Sequence, residues 1–238
     1  TVIFPMLSQE ANKDSYDGLK KVTIHGINII LLITIPATVG MIVLANPIVK
    51  IAFERGVFDS TATYMTVGAL IFYSIGLVGT AAKSMLGRVY YSLQDTKTPM
   101  IDSFITIGIN IVFNFALIKF MAHRGLALAT SISVIVTSVF LLYRLKGKIG
   151  SFGFTKSVKC GIKSLVAAAA MGVVVYLLDS ILAGNMGGGT ISELIALLIS
   201  AGVGVLVYFV IIYLFKIDEV DWVIKIVKDR LRKVVARD

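Results

Sequence analysis

Long apolar runs and short polar connections alternate along the chain. Six runs stand out, at roughly 26–45, 64–87, 99–118, 125–143, 161–183 and 194–215. About 20 helical residues, at about 1.5 Å each, cross a hydrocarbon core of about 30 Å. Isolated strands would leave backbone groups unpaired in lipid, whereas helices satisfy their own. The pattern therefore predicts an all-α, polytopic membrane bundle of six transmembrane helices. Only the third and fifth runs carry a carboxylate, Asp102 and Asp179, each near an end.

The interruptions are informative too. Between the second and third runs lies YYSLQDTKTPMID, residues 90–102. Thr98 is placed to cap the next helix, with Pro99 at its first position, where no hydrogen bond is lost. Asp102 would then fall in the first turn, where the helix dipole favours an anion. Pro36 and Gly40 interrupt the first run and predict a bend there, with neighbouring helices re-satisfying the freed carbonyl. NPIVKIAFERGVFD, residues 46–59, reads as a short interfacial helix and turn, with Glu54 and Arg55 pointing apart into solvent. Beyond Lys216, apolar positions recur at helical spacing among lysines and arginines. That tail predicts an amphipathic helix on an anionic membrane surface.

Composition agrees with the pattern: 57% of residues are hydrophobic and 16% charged, against about half and a quarter in soluble domains. The net charge of +9 is mostly an orientation signal. Three, two, six and seven Lys plus Arg fall in 8–25, 88–98, 144–163 and the tail from 216. The alternate connections 46–63, 119–124 and 184–193 hold two, two and none, and Lys83 lies inside a span. The positive-inside rule puts the first set, with the C-terminus, in the cytoplasm. No soluble basic face exists to read nucleic acid. The opening TVIFPMLS has no charged region ahead of an apolar core and reads as the end of a helix, so a fragment or half of a split chain is expected. One cysteine, Cys160, excludes an intrachain disulfide and a CxxC pair.

Candidate chemistry is sparse. Lys83 is the one base deep in an apolar run; it either faces a water-filled cavity or snorkels to the cytoplasmic surface. Arg88 lies near the cytoplasmic mouth, as a phosphate contact or a plain anchor. Asn110 and Asn114 share one helix face and must meet protein or water, either in an interhelical hydrogen bond or against a sugar. His25 and His123 stand far apart, and no metal-spacing cluster, Ser-His-Asp set or phosphate loop is present. Neither a catalytic group nor a metal site is expected, and no cofactor beyond a coupling ion or the membrane potential.

The hairpin also carries a resemblance. GRVYYSLQDTKTP, with Asp95-Thr96 and Thr98-Pro99, resembles a signature of the MurJ/MviN family, bacterial lipid II flippases of the multidrug/oligosaccharidyl-lipid/polysaccharide exporter superfamily. FPMLS, IPATVGMIVLANPIV, IAFERGVFD, ALIFYSIGL, GINIVFNFAL and GLALATSIS continue the likeness in order through residue 133. The resemblance implies a two-lobed exporter of fourteen helices. Residues 1–23 would end a preceding transmembrane helix and form a cytoplasmic loop, and 24–145 would supply four helices of the second lobe. A basic cytoplasmic connection at 146–160 would lead to two extra C-terminal helices, 161–216, and to the tail 217–238. It further implies alternating access in the bacterial cytoplasmic membrane, lipid II and membrane lipids as partners, and a missing N-terminal lobe. The rival expectations are export of another polyprenyl-linked glycan or a drug, and a non-transporting scaffold for cell-wall synthesis.

Overall fold

The computed structural model describes residues 3–11, 15–185, 189–216 and 219. Among these every regular element is a helix: α1 (Ile3–Ala11), α2 (Asp17–Val43), α3 (Ala45–Phe53), α4 (Ser60–Ile75), α5 (Leu77–Ser92), α6 (Lys97–Met121), α7 (His123–Ile149), α8 (Phe154–Asn185) and α9 (Thr190–Leu214). Helices α2, α6, α7, α8 and α9 are each long and apolar enough to cross a bilayer, and α4 with α5 makes a sixth crossing bent by 40°. Each apolar run of the sequence falls on one crossing. The amphipathic tail expected beyond Lys216 lies outside the described residues, Glu219 excepted.

Two apolar cores organise the bundle, and α2 belongs to both. Leu7, Leu19, Leu86, Val89, Tyr90 and Leu145 join α1, the start of α2, α5 and the end of α7. Ala167, Ala168, Met171, Val175, Tyr208 and Ile212 join α8 and α9 to the other half of α2. Small residues set the spacing in the second core: a Cβ on Gly204 of α9 would come within 2.5 Å of Val175. That is the close approach small residues permit in lipid. Helix α6 packs mainly on α7, so its other flank is open.

The bent crossing breaks at Gly76, where the backbone of α7 presses close. A Cβ there would sit 2.6 Å from the Ser131 hydroxyl and 2.9 Å from its Cα. The Gly76 N–H turns to the Tyr73 carbonyl, three residues back. The Phe72 carbonyl so released accepts the Ser131 hydroxyl at 2.5 Å, and the Ser74 carbonyl accepts Thr38 of α2 at 3.2 Å. Two neighbouring helices thus supply the donors that lipid cannot. Helix α2 runs through Pro36 as one element, so the measured break lies in the second crossing.

The connections gather at the two ends of the bundle. At one end Lys50 meets Glu193 at 2.5 Å, His123 Nε2 lies 3.0 Å from the Met65 carbonyl, and Arg124 stands over the Tyr64 ring. At the other end Lys148 pairs with Asp95 at 2.7 Å, and Lys163 donates to the Phe215 carbonyl at 3.0 Å. His25 there approaches Glu219 at 3.6 Å. Glu54 and Arg55 do not pair; Glu54 accepts from Thr63 and Arg55 donates to the Ala52 carbonyl. Most of the stretch 146–160 is helical, leaving only residues 150–153 between α7 and α8.

Candidate functional site

Lys83 does not stand alone. Its ammonium lies 2.7 Å from Asp102 Oδ2, across from α5 to α6, and also donates to the Thr106 hydroxyl. The Asp102 side chain is fully buried, while that of Lys83 is 22% exposed. The contact is an ion pair: both carboxylate oxygens are buried, and neither accepts a hydrogen bond among the described residues. The expected place of Asp102 in the first turn is corrected: α6 starts at Lys97, with no acid in its first turn. Asp102 therefore lies beyond the reach of the helix end and serves as the counter-ion of Lys83. Opposite charges inside a membrane pair with one another, and that rule was the signal in the sequence linking 83 with 102.

Beside Lys83, α5 presents an exposed polar row. Thr80, Ser84, Arg88 and Tyr91 recur at helical spacing and are all exposed. The open faces of α6 and α9 are apolar by contrast, with Phe104, Phe115, Leu198 and Leu206. A row of polar side chains within a span belongs against water or protein, and an apolar one against lipid. Arg88 makes no ion pair among the described residues.

Asp102 begins a line along α6 that continues through Thr106, Asn110 and Asn114 at four-residue spacing. The Asn110 amide donates to Thr130 of α7 at 3.2 Å, and Asn114 donates to the Asn110 carbonyl oxygen at 2.9 Å. Thr106 and Thr137 approach to 3.0 Å. The interhelical bond is thus present for Asn110, while Asn114 Oδ1 stays buried without a donor. No group of three or more His, Cys, Asp or Glu suited to a metal occurs among the described residues.

The hairpin residues have a structural chemistry of their own. Gln94 adopts φ +58°; its N–H returns to the Tyr91 carbonyl and that of Asp95 to the Tyr90 carbonyl. Those two bonds are the Schellman closure of a helix. Asp95 then caps α6, accepting from the Thr98 N–H at 2.9 Å and the Thr98 hydroxyl at 2.7 Å. The side-chain cap comes from Asp95 rather than from Thr98, because α6 begins two residues before Pro99. Thr96 occupies the position before α6 without a side-chain cap bond. Partial burial pushes the Asp95 carboxyl up, but hydrogen bonds from Lys148 and from both Thr98 groups, with the Lys148 charge, more than offset this and bring it to about 2.

Across the bundle, α2, α8 and α9 border an apolar groove of about 910 Å³, lined by Leu32, Pro36, Gly40, Met171, Gly204 and Tyr208 among others. Pro36 has no N–H to give the Leu32 carbonyl. Tyr208 of α9 donates its hydroxyl there instead, at 2.8 Å, and lies 2.8 Å from the Ser164 hydroxyl of α8. The sequence called for such re-satisfaction but did not name Tyr208 or Ser164.

The chain as a whole is similar to known proteins. The family model described as lipid II flippase MurJ matches residues 1–198. The chain belongs to the MurJ lipid II flippase family. A probable lipid II flippase MurJ of Vibrio cholerae is 33% identical over 216 residues, covering 90% of this chain and 41% of that one. The Thermotoga maritima relative of the same description is 31% identical, over 94% of this chain and 43% of its own. A solved lipid II flippase MurJ in an inward closed conformation superposes with a TM-score of 0.71 at 29% identity, covering 92% of this chain and 43% of that one. The chain thus spans about two fifths of the length of the MurJ proteins it matches. Its Asp95–Pro99 hairpin, Lys83–Asp102 pair and Asn110–Asn114 line all lie inside the matched region.

Proposed function

We propose that this chain is the second lobe, with the two extra C-terminal helices, of a transporter that flips lipid II from the cytoplasmic to the outer leaflet by alternating access. The observation that carries this reading is the likeness to a solved MurJ flippase along nearly the whole chain, at a TM-score of 0.71 and 29% identity. The physics of the substrate agrees. A lipid-linked diphosphate with its sugars cannot enter hydrocarbon, because burying unpaired charge costs many kcal/mol. A polar, cationic wall lowers that barrier, and the row Thr80, Ser84 and Arg88 beside Lys83 is such a wall. The groove over Leu32, Pro36 and Tyr208 has the apolar lining a prenyl tail requires.

In this reading the remaining cations of the path come from an N-terminal lobe, and the two lobes rock about a central site. The basic end of the bundle faces the cytoplasm of a bacterial cell, by the positive-inside rule. The protein acts as a transporter without covalent chemistry, driven by the membrane potential or a coupling ion. Depletion of the full-length protein in cells, followed by leaflet-specific labelling of lipid II, tests it. Lipid II should accumulate in the inner leaflet within the depletion time. Unchanged labelling with cell-wall enzymes mislocalised would favour the scaffold, and loss of a different lipid-linked glycan would favour another exporter.

A further inference from the structure

The Lys83–Asp102 pair is lopsided. Asp102 is sealed within the helix packing, whereas Lys83 keeps 22% of its side chain exposed at the edge of the polar row of α5. An ammonium has three donors. One of those on Lys83 goes to the Thr106 hydroxyl, while Asp102 holds the ammonium by charge at 2.7 Å; donors are left for a group arriving from the open side. Neither buried oxygen of Asp102 accepts a hydrogen bond among the described residues, so the pair is an incomplete one. Buried carboxylates normally complete their hydrogen bonds, and each unsatisfied atom calls for a reason. A pair built only to hold α5 on α6 would gain from a donor on Oδ1 and from burial of Lys83. Neither is present.

We propose that Asp102 is an internal competitor for Lys83. It holds the ammonium while the lobe is empty, and the phosphate oxygens of an anionic lipid headgroup take the ammonium over from the open face of α5. Arg88, exposed and without an ion pair among the described residues, lies five residues nearer the helix end and meets the same headgroup first. The competitor weakens binding, which suits a site that must release its cargo: a lysine without a competing carboxylate would hold a diphosphate longer. The assignment rests on the flippase reading above and adds to it the residue that tunes substrate affinity.

The experiment uses the full-length protein in nanodiscs at low salt, where partly exposed charges are least screened. It is titrated with a polyprenyl diphosphate, with inorganic pyrophosphate and with the neutral polyprenol. Asp102→Asn should bind the polyprenyl diphosphate on the order of tenfold more tightly, the scale of one charge-assisted contact released from competition. It should release that lipid more slowly, while polyprenol binding stays at the wild-type level. Lys83→Met/Asp102→Asn leaves no buried charge uncompensated, and its elution as a monodisperse peak with the wild-type melting profile is checked first. That double variant should lose the gain and bind more weakly than wild type. Wild-type affinity in the double variant overturns the proposal, whatever the behaviour of Asp102→Asn. Unchanged affinity in Asp102→Asn, with the diphosphate still preferred over polyprenol, overturns the competitor role alone. A gain confined to inorganic pyrophosphate overturns the lipid as the anion's source. Equal wild-type affinity for diphosphate and polyprenol would instead count against the substrate class itself.

Discussion

Pro36 shows how one residue's missing atom organises its neighbours. Its ring leaves the Leu32 carbonyl without the usual donor, and the Tyr208 hydroxyl fills that place at 2.8 Å. Tyr208→Phe removes the donor and keeps the ring in the second core. The melting temperature of the purified protein should fall by the equivalent of about 0.6–1.7 kcal/mol, the range of single interhelical hydrogen bonds in membranes. Pro36→Ala restores an N–H for Leu32, so the same Tyr208→Phe change should cost clearly less in that background. Equal losses in both backgrounds would mean that Tyr208 stabilises α9 by some route other than the freed carbonyl. The need for a donor was legible in the sequence, because a proline inside an apolar run always creates it. Its identity was not, since Tyr208 is remote in the chain and only the packing of α9 on α2 brings it there.

At the scale of elements, the hairpin between α5 and α6 is the best-determined joint. Gln94 closes one helix, Asp95 opens the next, and Lys148 from the end of α7 locks the turn. The carboxyl of Asp95 lies at about 2, below its ordinary 3.8. A value depressed by folding stabilises the native state above the unfolded value and ceases to as the pH falls through the folded one. Wild type should therefore exceed Asp95→Asn, which still caps, by about 1–2 kcal/mol at neutral pH, a figure reduced for the part-exposed Lys148. The gap in melting temperature should hold down to about pH 4 and close toward about pH 2. A gap that persists undiminished at pH 2 would assign the difference to the amide rather than to the charge. The polar stretch was legible as a turn, but periodicity does not resolve which of Asp95 and Thr98 caps, since the helix start shifts by two residues. The pairing of Lys83 with Asp102 was harder to read, because each residue alone had a sufficient local explanation. Likewise the glycine at 76 became a break only through contact with Ser131 of α7.

At the scale of the whole molecule, two independent lines bear on orientation. The count of basic residues divides the connections into alternate sets, and the contacts divide them the same way. Lys50–Glu193 joins two connections of the poor set, and His123 of that set reaches Met65 near the start of α4; Lys148–Asp95 joins two of the rich set, and Lys163 of that set reaches Phe215 just past the end of α9. Those contacts agree with α4 and α5 acting together as one bent crossing beside the five long apolar helices. Which end is cytoplasmic is a proposal from charge alone, through the preference of Lys and Arg for the cytoplasmic side. Single cysteines decide it. Val57, fully exposed in the turn after α3, and Thr96, exposed in the α5–α6 hairpin, are suitable positions. The host is the full-length protein with Cys160, which is buried, replaced by alanine. In intact cells a membrane-impermeant maleimide should modify Val57→Cys and leave Thr96→Cys unmodified until the membrane is opened. The reverse pattern would invert the bundle. The Lys83–Asp102 pair would then lie nearer the outer leaflet, and an affinity-tuning role there would belong to release rather than loading of the headgroup.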